Sequence, residues 1–370
     1  MSRLDNRLRP ARLAAGLSQE RLARVAGISR QAYASIEAGR SVPSTEVALR
    51  VARALMSTVE SLFSLPLERG DTVVAELIPG KKDTSLPSRV QLVTVGDRLL
   101  ARPLVGRRSA HYSIAIADGI ATGLGKGQKV SVELMAPLEE ALQLVIVGGD
   151  PSINLLGRDL RSQGFGMVWF GEDSSTALDY LIRGNAHVAG CHLFDEAAGE
   201  YNLPWVEKLV PFSCTVVTFA IRQQGLIVAE GNPKGITTIV HLTRPDVAMV
   251  NREVGSGSRA LLDRLMGKAG VPEADVIGYG RVVDGHLPVA DAVASGLADA
   301  GIGVQSVAEA RGLGFVPLGE ERYDFVIPDH FLHLPMVQAF LETLRRPYPR
   351  RQIEALGGYD VAPMGLPVTA

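Results

Sequence analysis

Three short stretches in the second half of the chain combine residue types suited to holding an anion: GDPS (149–152), DSST (173–176) and NREVGSGSR (251–259). In each, an apolar run that reads as a strand ends, small hydroxyl or glycine residues follow, and a helical pattern begins. Such a junction offers unpaired backbone amides, the positive end of a helix dipole and Ser/Thr hydroxyls at the carboxyl edge of a parallel sheet. Those groups can replace the water around an anion without a full countercharge, with Arg252 or Arg259 as an optional one. One such loop is usually no more than a capped helix. Three on one sheet system point to a pocket.

A different chemistry is written at residues 18–36, SQERLARVAGISRQAYASI. The stretch reads as two short helices about a tight turn at Gly27. Ser18 caps the first, which presents Leu22, Ala23 and Ala26 as an apolar face. Ser29 caps the second, where Ala32, Ile36 and the edge of Tyr33 face inward and Arg30, Gln31, Ala34 and Ser35 face outward. A second helix so placed enters the DNA major groove, where Arg reads guanine and Gln reads adenine by paired hydrogen bonds. Ala34 and Ser35 put no long polar side chain in its middle, so base contacts fall to its first turn. The candidate contacts to double-stranded DNA are Ser18, Gln19, Ser29, Arg30, Gln31 and Ser35, with Arg40 placed for a phosphate after the stop at Gly39.

Other groupings are weaker. GLGKG (123–127) lacks the spacing of a phosphate loop and reads as a turn. His330 and His333 beside Asp329 lack further metal ligands at a usable spacing. Cys191 and His192 follow a buried strand, where a thiol serves as core. Ser256 has its glycines at the wrong offsets for a nucleophile elbow. No catalytic residue, metal or resident cofactor is therefore expected.

The elements that must position these residues fall into three regions. A length of 370 residues suggests two or three domains. Apolar residues make up 46% of the chain, yet no run approaches the ~18 uninterrupted apolar residues of a membrane span, so a soluble protein is expected. The start, MSRLDNRLRPARL, lacks the apolar core of a secretory signal. Two cysteines, Cys191 and Cys214, are too few for a disulfide framework and fit a reducing cytoplasm. Residues 1–66 carry ten Arg against five Asp or Glu, a charge of +5, which leaves −7 on the remainder of a chain whose net charge is −2. A basic head on an acidic body suits a protein in which only the head meets phosphates.

Within residues 1–66 the patterns predict helices over 4–15, across the stretch 18–36, over 44–55 with Val47, Leu49, Val51 and Leu55 inward, and a capping box at Ser57 and Glu60. Residues 67–138 read as a β-rich connector, possible as a small barrel, with strands over 71–78, 89–95, 98–104 and 129–134 and a basic loop at GRR (106–108). From 139 to 370 strands and helices alternate, which implies parallel sheets. Strands are predicted over 142–147, 167–170, 188–191, 215–221, 226–229, 247–251, 276–280, 300–304, 315–318 and 324–327, and helices over 257–269, 288–295, 306–311 and 334–344.

LSQERLARVAGISRQAYASIEAGRSVP (17–43) resembles the Cro/cI-like, XRE-type helix-turn-helix family across roughly the first 65 residues. Residues 140–367 resemble periplasmic-binding-protein-like domains related to molybdate-binding proteins, which bacterial regulators carry fused to such heads. The matching stretches are GEDSSTAL (171–178), GNAHVAG (184–190), GEYNLP (199–204), GNPKGI (231–236), VNREVGSGSR (250–259), ADAGIG (298–303) and ERYDFVIP (321–328). This second resemblance implies a type II, two-lobed α/β domain, with lobe one over 140–225 and 326–370 and lobe two over 226–325. It also implies an oxyanion such as molybdate held by Ser152, by Ser174 or Ser175, by the backbone amides around Ser256, Gly257 and Ser258, and by Tyr323; Thr176, Asn251, Arg252 and Arg259, from the reading of the same loops, complete the candidate ligand set. Asp150 departs from the pattern: either it points away, or the ligand is not a simple tetrahedral anion. The reading is a multidomain, cytoplasmic, ligand-responsive transcription regulator with an all-α head, acting as a homodimer or higher homo-oligomer. A phosphate-binding transferase, or a DNA-binding scaffold whose large domain recognises a protein, stands as the alternative.

Overall fold

The computed structural model describes residues 4–64, 71–78, 85–104, 116–138 and 142–369. The chain divides into two compact units, residues 1–71 with 135–137, and residues 72–134 with 138–370. No helix among the described residues is long and apolar enough to cross a membrane.

The first unit holds helices α1 (Leu8–Ala14), α2 (Gln19–Ala26), α3 (Arg30–Glu37), α4 (Thr45–Ala54) and α5 (Val59–Leu62). Ser18, Ser29 and Ser44 cap three of them, accepting from the amides of Arg21, Ala32 and Val47 at 3.2, 3.1 and 3.3 Å. Each such cap contributes about 1 kcal/mol. Gly27, at φ 72°, ends α2 in the left-handed conformation that lets the chain turn sharply into α3. Leu8, Leu22 and Tyr33 are fully buried, with Ile36, Ala48, Val51 and Ala52 around them.

Several sequence expectations shift here. The first helix starts at Leu8, because Pro10 then falls in the opening turn, where amides lack intrahelical partners. Asp5–Asn6 instead pairs antiparallel with Phe63–Ser64. Tyr33 turns inward whole, and Ala32 is left exposed. Leu49 is 57% exposed, since Ala48, Val51 and Ala52 form the inner stripe of α4. The capping box joins Thr58 to Ser61, one residue later than predicted.

Strands β1 (Thr72–Leu77), β2 (Ser88–Val95), β3 (Arg98–Pro103), β4 (Gly119–Leu124) and β5 (Lys129–Leu134) close into a barrel in the order β1-β3-β2-β4-β5. Ala75, Val90, Ala101, Ala121, Val130 and Val132 fill it. The Gly96-Asp97 turn joins β2 to β3, with Val95 opposite Arg98. The glycine-rich stretch predicted as a turn is partly strand: Gly123 and Leu124 end β4, and one 3-10 turn, Lys126–Gln128, follows. A side-chain carbon at Gly119 would lie 2.5 Å from the Glu133 carbonyl, so the missing side chain is what allows this strand pair to close. GRR (106–108) lies outside the described residues. On the barrel's outside, Ile78, Val93, Val95 and Leu100 share one core with Val145, Val147, Phe170 and Leu178 of the body.

The body's strands are β6 (Gln143–Val147), β7 (Gly166–Phe170), β8 (Val188–Cys191), β9 (Cys214–Val228), β10 (Met249–Arg252), β11 (Ala300–Val304) and β12 (Gly314–Pro328). Its helices are α6 (Gly157–Ser162), α7 (Ser174–Ile182), α8 (Leu203–Leu209), α9 (Gly257–Ala269), α10 (His286–Ala294), α11 (Gln305–Ala310), α12 (Pro335–Arg345) and α13 (Pro347–Glu354). In the sheet, Val282–Val283, β10, β11, β9, β12, β8, β6 and β7 lie in that order, and Tyr359–Asp360 pairs beside β9. The flanks are parallel: β6 with β7 and β8, β10 with β11. Strands β9 and β12 run antiparallel for 15 residues each, from Cys214 opposite Pro328 to Val228 opposite Gly314, and so pass through both lobes.

The sequence predicts each of these two strands as a pair of shorter ones. Polar or glycine residues interrupt their apolar runs, RQQG (222–225) in β9 and GEERY (319–323) in β12. The crossing buries alternate polar side chains of these stretches, Arg222 and Gln224 on β9 and Glu321 and Tyr323 on β12. The strand predicted at 276–280 is absent; Gly278 passes too close to the Met249 carbonyl for any side chain, and Val282–Val283 pairs with β10 instead.

Candidate functional site

Where the two long strands cross between the lobes, a charged network is sealed from water. Arg222 on β9 is 1% exposed; its Nη1 donates to Asp150 at 2.6 Å, and its Nε donates to Glu321 on β12. Gln224 Nε2 donates to Glu321 at 2.7 Å, and His192 Nδ1 lies 3.2 Å from the other Glu321 oxygen. Asp150 also accepts from the Ser152 hydroxyl and amide at 2.6 and 2.8 Å and from the Tyr359 hydroxyl at 2.9 Å. Burial alone would raise the Glu321 pKa, but Arg222, His192 and Gln224 hold it down at about 2. Burial likewise works against the Arg222 charge, and Glu321 with Asp150 outweighs it, so the guanidinium is held above its ordinary pKa. Tyr323 lies beneath, with the guanidinium 4.6 Å above its ring.

His192 links this floor to the opposite lobe. Its amide donates to the Ser174 hydroxyl at 3.1 Å, and its ring meets Gly257 at the start of α9, where a side-chain carbon would sit 2.3 Å from Nδ1. Lobe one's DSST loop and lobe two's GSGSR loop thereby both meet one residue, the first its amide and the second its ring. Arg222 Nη2, Gln224 Oε1 and the Ser258 hydroxyl are buried with no hydrogen-bond partner among the described residues. Unpaired buried polar groups are costly, and several in one place mark where a polar ligand or water is accommodated.

Beside this floor lies a cavity of about 590 Å³, counted with its mouth. Gly149, Pro151, Trp169 and residues 171–173 line it from lobe one; Arg252, Glu253 and residues 284–288 line it from lobe two. Arg252, 5% exposed, donates to Glu253 through Nε and Nη2 at 2.8 and 2.7 Å, and its Nη1 is unpartnered among the described residues. Burial would raise the Glu253 pKa, and the bonds from Arg252 draw it below its usual range instead. His286 is 4% exposed, with Nδ1 unpartnered among the described residues. Burial, together with Arg252, Arg222 and His192, holds its pKa well below 6.5.

The residues expected to hold an oxyanion are distributed unevenly about this site. Arg252 lines the cavity, Ser174 accepts from the His192 amide, Gly257 touches the His192 ring, and the Ser258 hydroxyl is buried and unpartnered among the described residues. The others are held by the scaffold. Ser152 donates to Asp150, and Thr176 donates to Asp173 at 2.8 Å. Ser256 caps α9 and donates to the Glu253 carbonyl at 2.9 Å. Asn251 is tied to the Tyr279 carbonyl and its neighbour's amide. Arg259 pairs with Asp263 and covers the Tyr279 ring, Ser175 is exposed, and the Tyr323 hydroxyl presses against Gly148 and Gly190. Asp150 is turned inward onto Arg222. The sequence reading missed Arg222, Gln224, Glu321, His192 and His286. For Arg222, Gln224 and Glu321 the signal present was the run of polar residues breaking two otherwise apolar strands.

The barrel reaches this site through α7. Arg102 on β3 pairs with Glu172 at 3.6 Å and covers the Phe170 ring at 4.1 Å, just ahead of α7's first residue. Arg98 on the same strand donates to the carbonyls of Arg183 and Gly184 at 2.9 and 3.1 Å, past α7's last. Four strand residues span about 13 Å and a nine-residue helix about the same, so both ends fit one strand.

In the head, Arg30, Gln31 and Arg40 are exposed, as are Ser18 and Ser29, which cap their helices. Ser35 is half-buried. Gln19 donates to Glu37 at 3.3 Å, and Arg12 donates twice to the same carboxylate at 2.9 and 2.8 Å, so α1 and α2 both hold the end of α3. These bonds keep the Glu37 carboxyl below its ordinary pKa, Arg12 foremost.

Comparisons with known proteins match this layout. A model of the PBP superfamily domain matches residues 157–345, and a helix-turn-helix model matches residues 8–60. The uncharacterized protein YvgK of Bacillus subtilis is 35% identical over 222 residues, 59% of this chain and 70% of its own length. The uncharacterized HTH-type transcriptional regulator YgzD of the same organism is 37% identical over 65 residues, 18% of this chain and 98% of its own. Among solved structures, a putative phosphate ABC transporter substrate-binding protein with bound phosphate from Clostridium perfringens is similar at 14% identity and a TM-score of 0.47, over 59% of this chain and 99% of that one.

Proposed function

The chain belongs to the PBP superfamily and carries a helix-turn-helix regulator head ahead of that domain, and from this premise we propose that it is a cytoplasmic transcription regulator governed by a small anion in the cleft between its lobes. The ligand is either a molybdate-like oxyanion or a small anionic metabolite. One observation carries the reading: Arg252 Nη1 lines the cleft buried and without an acceptor among the described residues, and Arg222 Nη2 in the charged network beside it is left in the same state. Ligand occupancy draws the lobes together about the β9–β12 crossing and alters the spacing of paired heads on a two-fold DNA site. The active form is a homodimer or higher homo-oligomer, with residues 1–66 as the DNA-binding domain, 67–138 as connector and 139–370 as ligand domain. Ser18, Gln19, Ser29, Arg30, Gln31, Ser35 and Arg40 make the DNA contacts.

A sensor fits the site better than an enzyme. Catalysis at an anion needs a poised general base, and the buried carboxylates are committed: Asp150 and Glu321 to Arg222, Glu253 to Arg252. The test is selection of duplexes from random sequence by the full chain, followed by footprinting. A defined two-fold site is expected, lost in Arg30→Ala combined with Gln31→Ala. Binding that shows no sequence preference overturns the regulator reading.

A further inference from the structure

Net charge by domain assigns all contact with phosphate to the head, but the fold gathers a second basic surface on the acidic body. Residues 139–370 carry a net −10. Within them, α6, α12, α13 and the residue joining the last two hold six arginines, Arg158, Arg161, Arg345, Arg346, Arg350 and Arg351, against three carboxylates and no lysine, a net +3. These arginines come from segments far apart in sequence and meet on one face. Arg158 Nη1 donates to the Tyr348 hydroxyl, 190 residues away, at 2.7 Å, and its guanidinium lies 5.3 Å from the centre of that ring. Arg346 ties α6 to α12, donating to Asp159 at 3.1 Å and to Glu342 at 2.6 Å, and so engages two of the three carboxylates by itself. Arg350 turns inward to the carbonyls of Leu344 and Met364. Arg351 follows Tyr348 by three residues on α13, which puts both on the same side of the helix. Arg345 shares a groove with Gln163 and Phe165, just past the end of α6.

Arg161, Arg345 and Arg351 are exposed and form no ion pair among the described residues. An open face of this kind, spread over three helices, does not enclose a single small ion. It suits an extended polyanion, and guanidinium forks match phosphate oxygens two at a time where lysine would offer only a point charge. Accepting the reading of the chain as a DNA-binding regulator, we infer that the arginine face of α6, α12 and α13 binds the phosphates of duplex DNA flanking the site that the head selects. Its contacts are to the backbone, so they add affinity and salt dependence without sequence preference. Head and body are one chain, so a bound head holds this face at high effective concentration near the duplex, and a few exposed contacts suffice.

The test uses the duplex selected by the full chain in two lengths, one cut to the contacts of the head and one extended on each side by about two helical turns. At about 0.1 M salt the wild-type chain is expected to bind the longer duplex at least about tenfold more tightly, with a salt slope steeper by about 2–3. Replacing Arg161, Arg345 and Arg351 together by Gln should abolish that advantage and leave the Kd for the short duplex unchanged, whereas Lys at the same three positions should keep most of it. Arg351→Glu alone should reduce the advantage, which provides a second reading should the triple variant fold poorly. Equal affinity for the two lengths in wild type, or an undiminished advantage in the Gln variant, overturns the inference and leaves the regulator reading standing. So does a Gln variant that alters only the oligomeric state in sedimentation, since the face would then meet a second copy of the chain. Absence of any sequence-selective duplex overturns both.

Discussion

Arg222 is the residue on which the crossing of the lobes depends. It is the only cation in direct contact with both Asp150 and Glu321 among the described residues, and all three are excluded from water. Removing one partner from a buried charge cluster costs far more than the cluster contributes as a whole. Arg222→Met should therefore lower the urea-unfolding free energy by about 3–5 kcal/mol, and adding Asp150→Asn and Glu321→Gln to it should recover most of the loss. An Arg222→Met chain as stable as wild type contradicts this account of the network. Histidines set the acid side of the stability curve. His187 accepts the Val145 amide through Nδ1 at 3.1 Å, and burial pushes its pKa down to about 4. Above pH 6.5 it is neutral whether folded or not. Below that the unfolded chain takes up a proton that the folded chain refuses, so stability falls from pH 6.5 to 4, by up to about 3 kcal/mol for this one group. His286 acts in the same direction, and Glu321, held at about 2, adds a further loss between 4.5 and 2. Urea melts across this range should show the first slope reduced in His187→Asn; stability that stays level from pH 6.5 to 4 rules the argument out.

Helix α7 is gripped at both ends by one strand of the barrel, and its first turn abuts the cavity. Arg98→Ala should loosen the C-terminal turn of α7 and Arg102→Ala the N-terminal one, each read as faster amide exchange at its own end; uniform or absent change contradicts a clamp. Gly257→Ala tests the contact between α9 and lobe one. Its new methyl would strike the His192 ring, so the fold should persist while affinity for the best-bound anion falls at least about tenfold. Unaltered affinity would show that the lobes need not approach that closely. These elements differ in how legible they were. The capped helices of the head, α9 with its Ser256 cap and the Ala300–Val304 strand follow from local pattern, because the cap or the unbroken apolar run that specifies each lies within or next to the element itself. The two long strands were hidden, since a polar break in an apolar run reads as a loop unless distant carboxylates are known to meet it: Arg222 finds Asp150 72 residues away and Glu321 99 away. Loop chemistry was legible to the extent that the Ser/Thr residues do begin helices. Which of their hydroxyls were already taken by caps, as at Ser152, Thr176 and Ser256, depends on geometry that spacing does not encode.

At the scale of the whole molecule, a basic head of +5 and a body of −7 separate the surface that meets phosphate from the surface that does not, apart from the arginine face of α6, α12 and α13. Binding to DNA should accordingly weaken with salt, and neutralising Arg40 should reduce that dependence without altering sequence preference. The body can influence the head only if the cleft has two states with different affinity for a ligand. The crossing of β9 and β12, with pairing irregularities after Thr218 and Gln224, is where such states would differ. The central claim is that cleft and head are coupled. The measurement that tests it most directly is the Kd of the full chain for its selected duplex, with and without a saturating amount of the oxyanion or anionic metabolite that stabilises it most, in wild type and in Gly257→Ala. A shift of at least about fivefold in wild type, absent in the variant at the same concentration, is predicted. An identical Kd with the cleft of the wild-type chain empty and filled would contradict it.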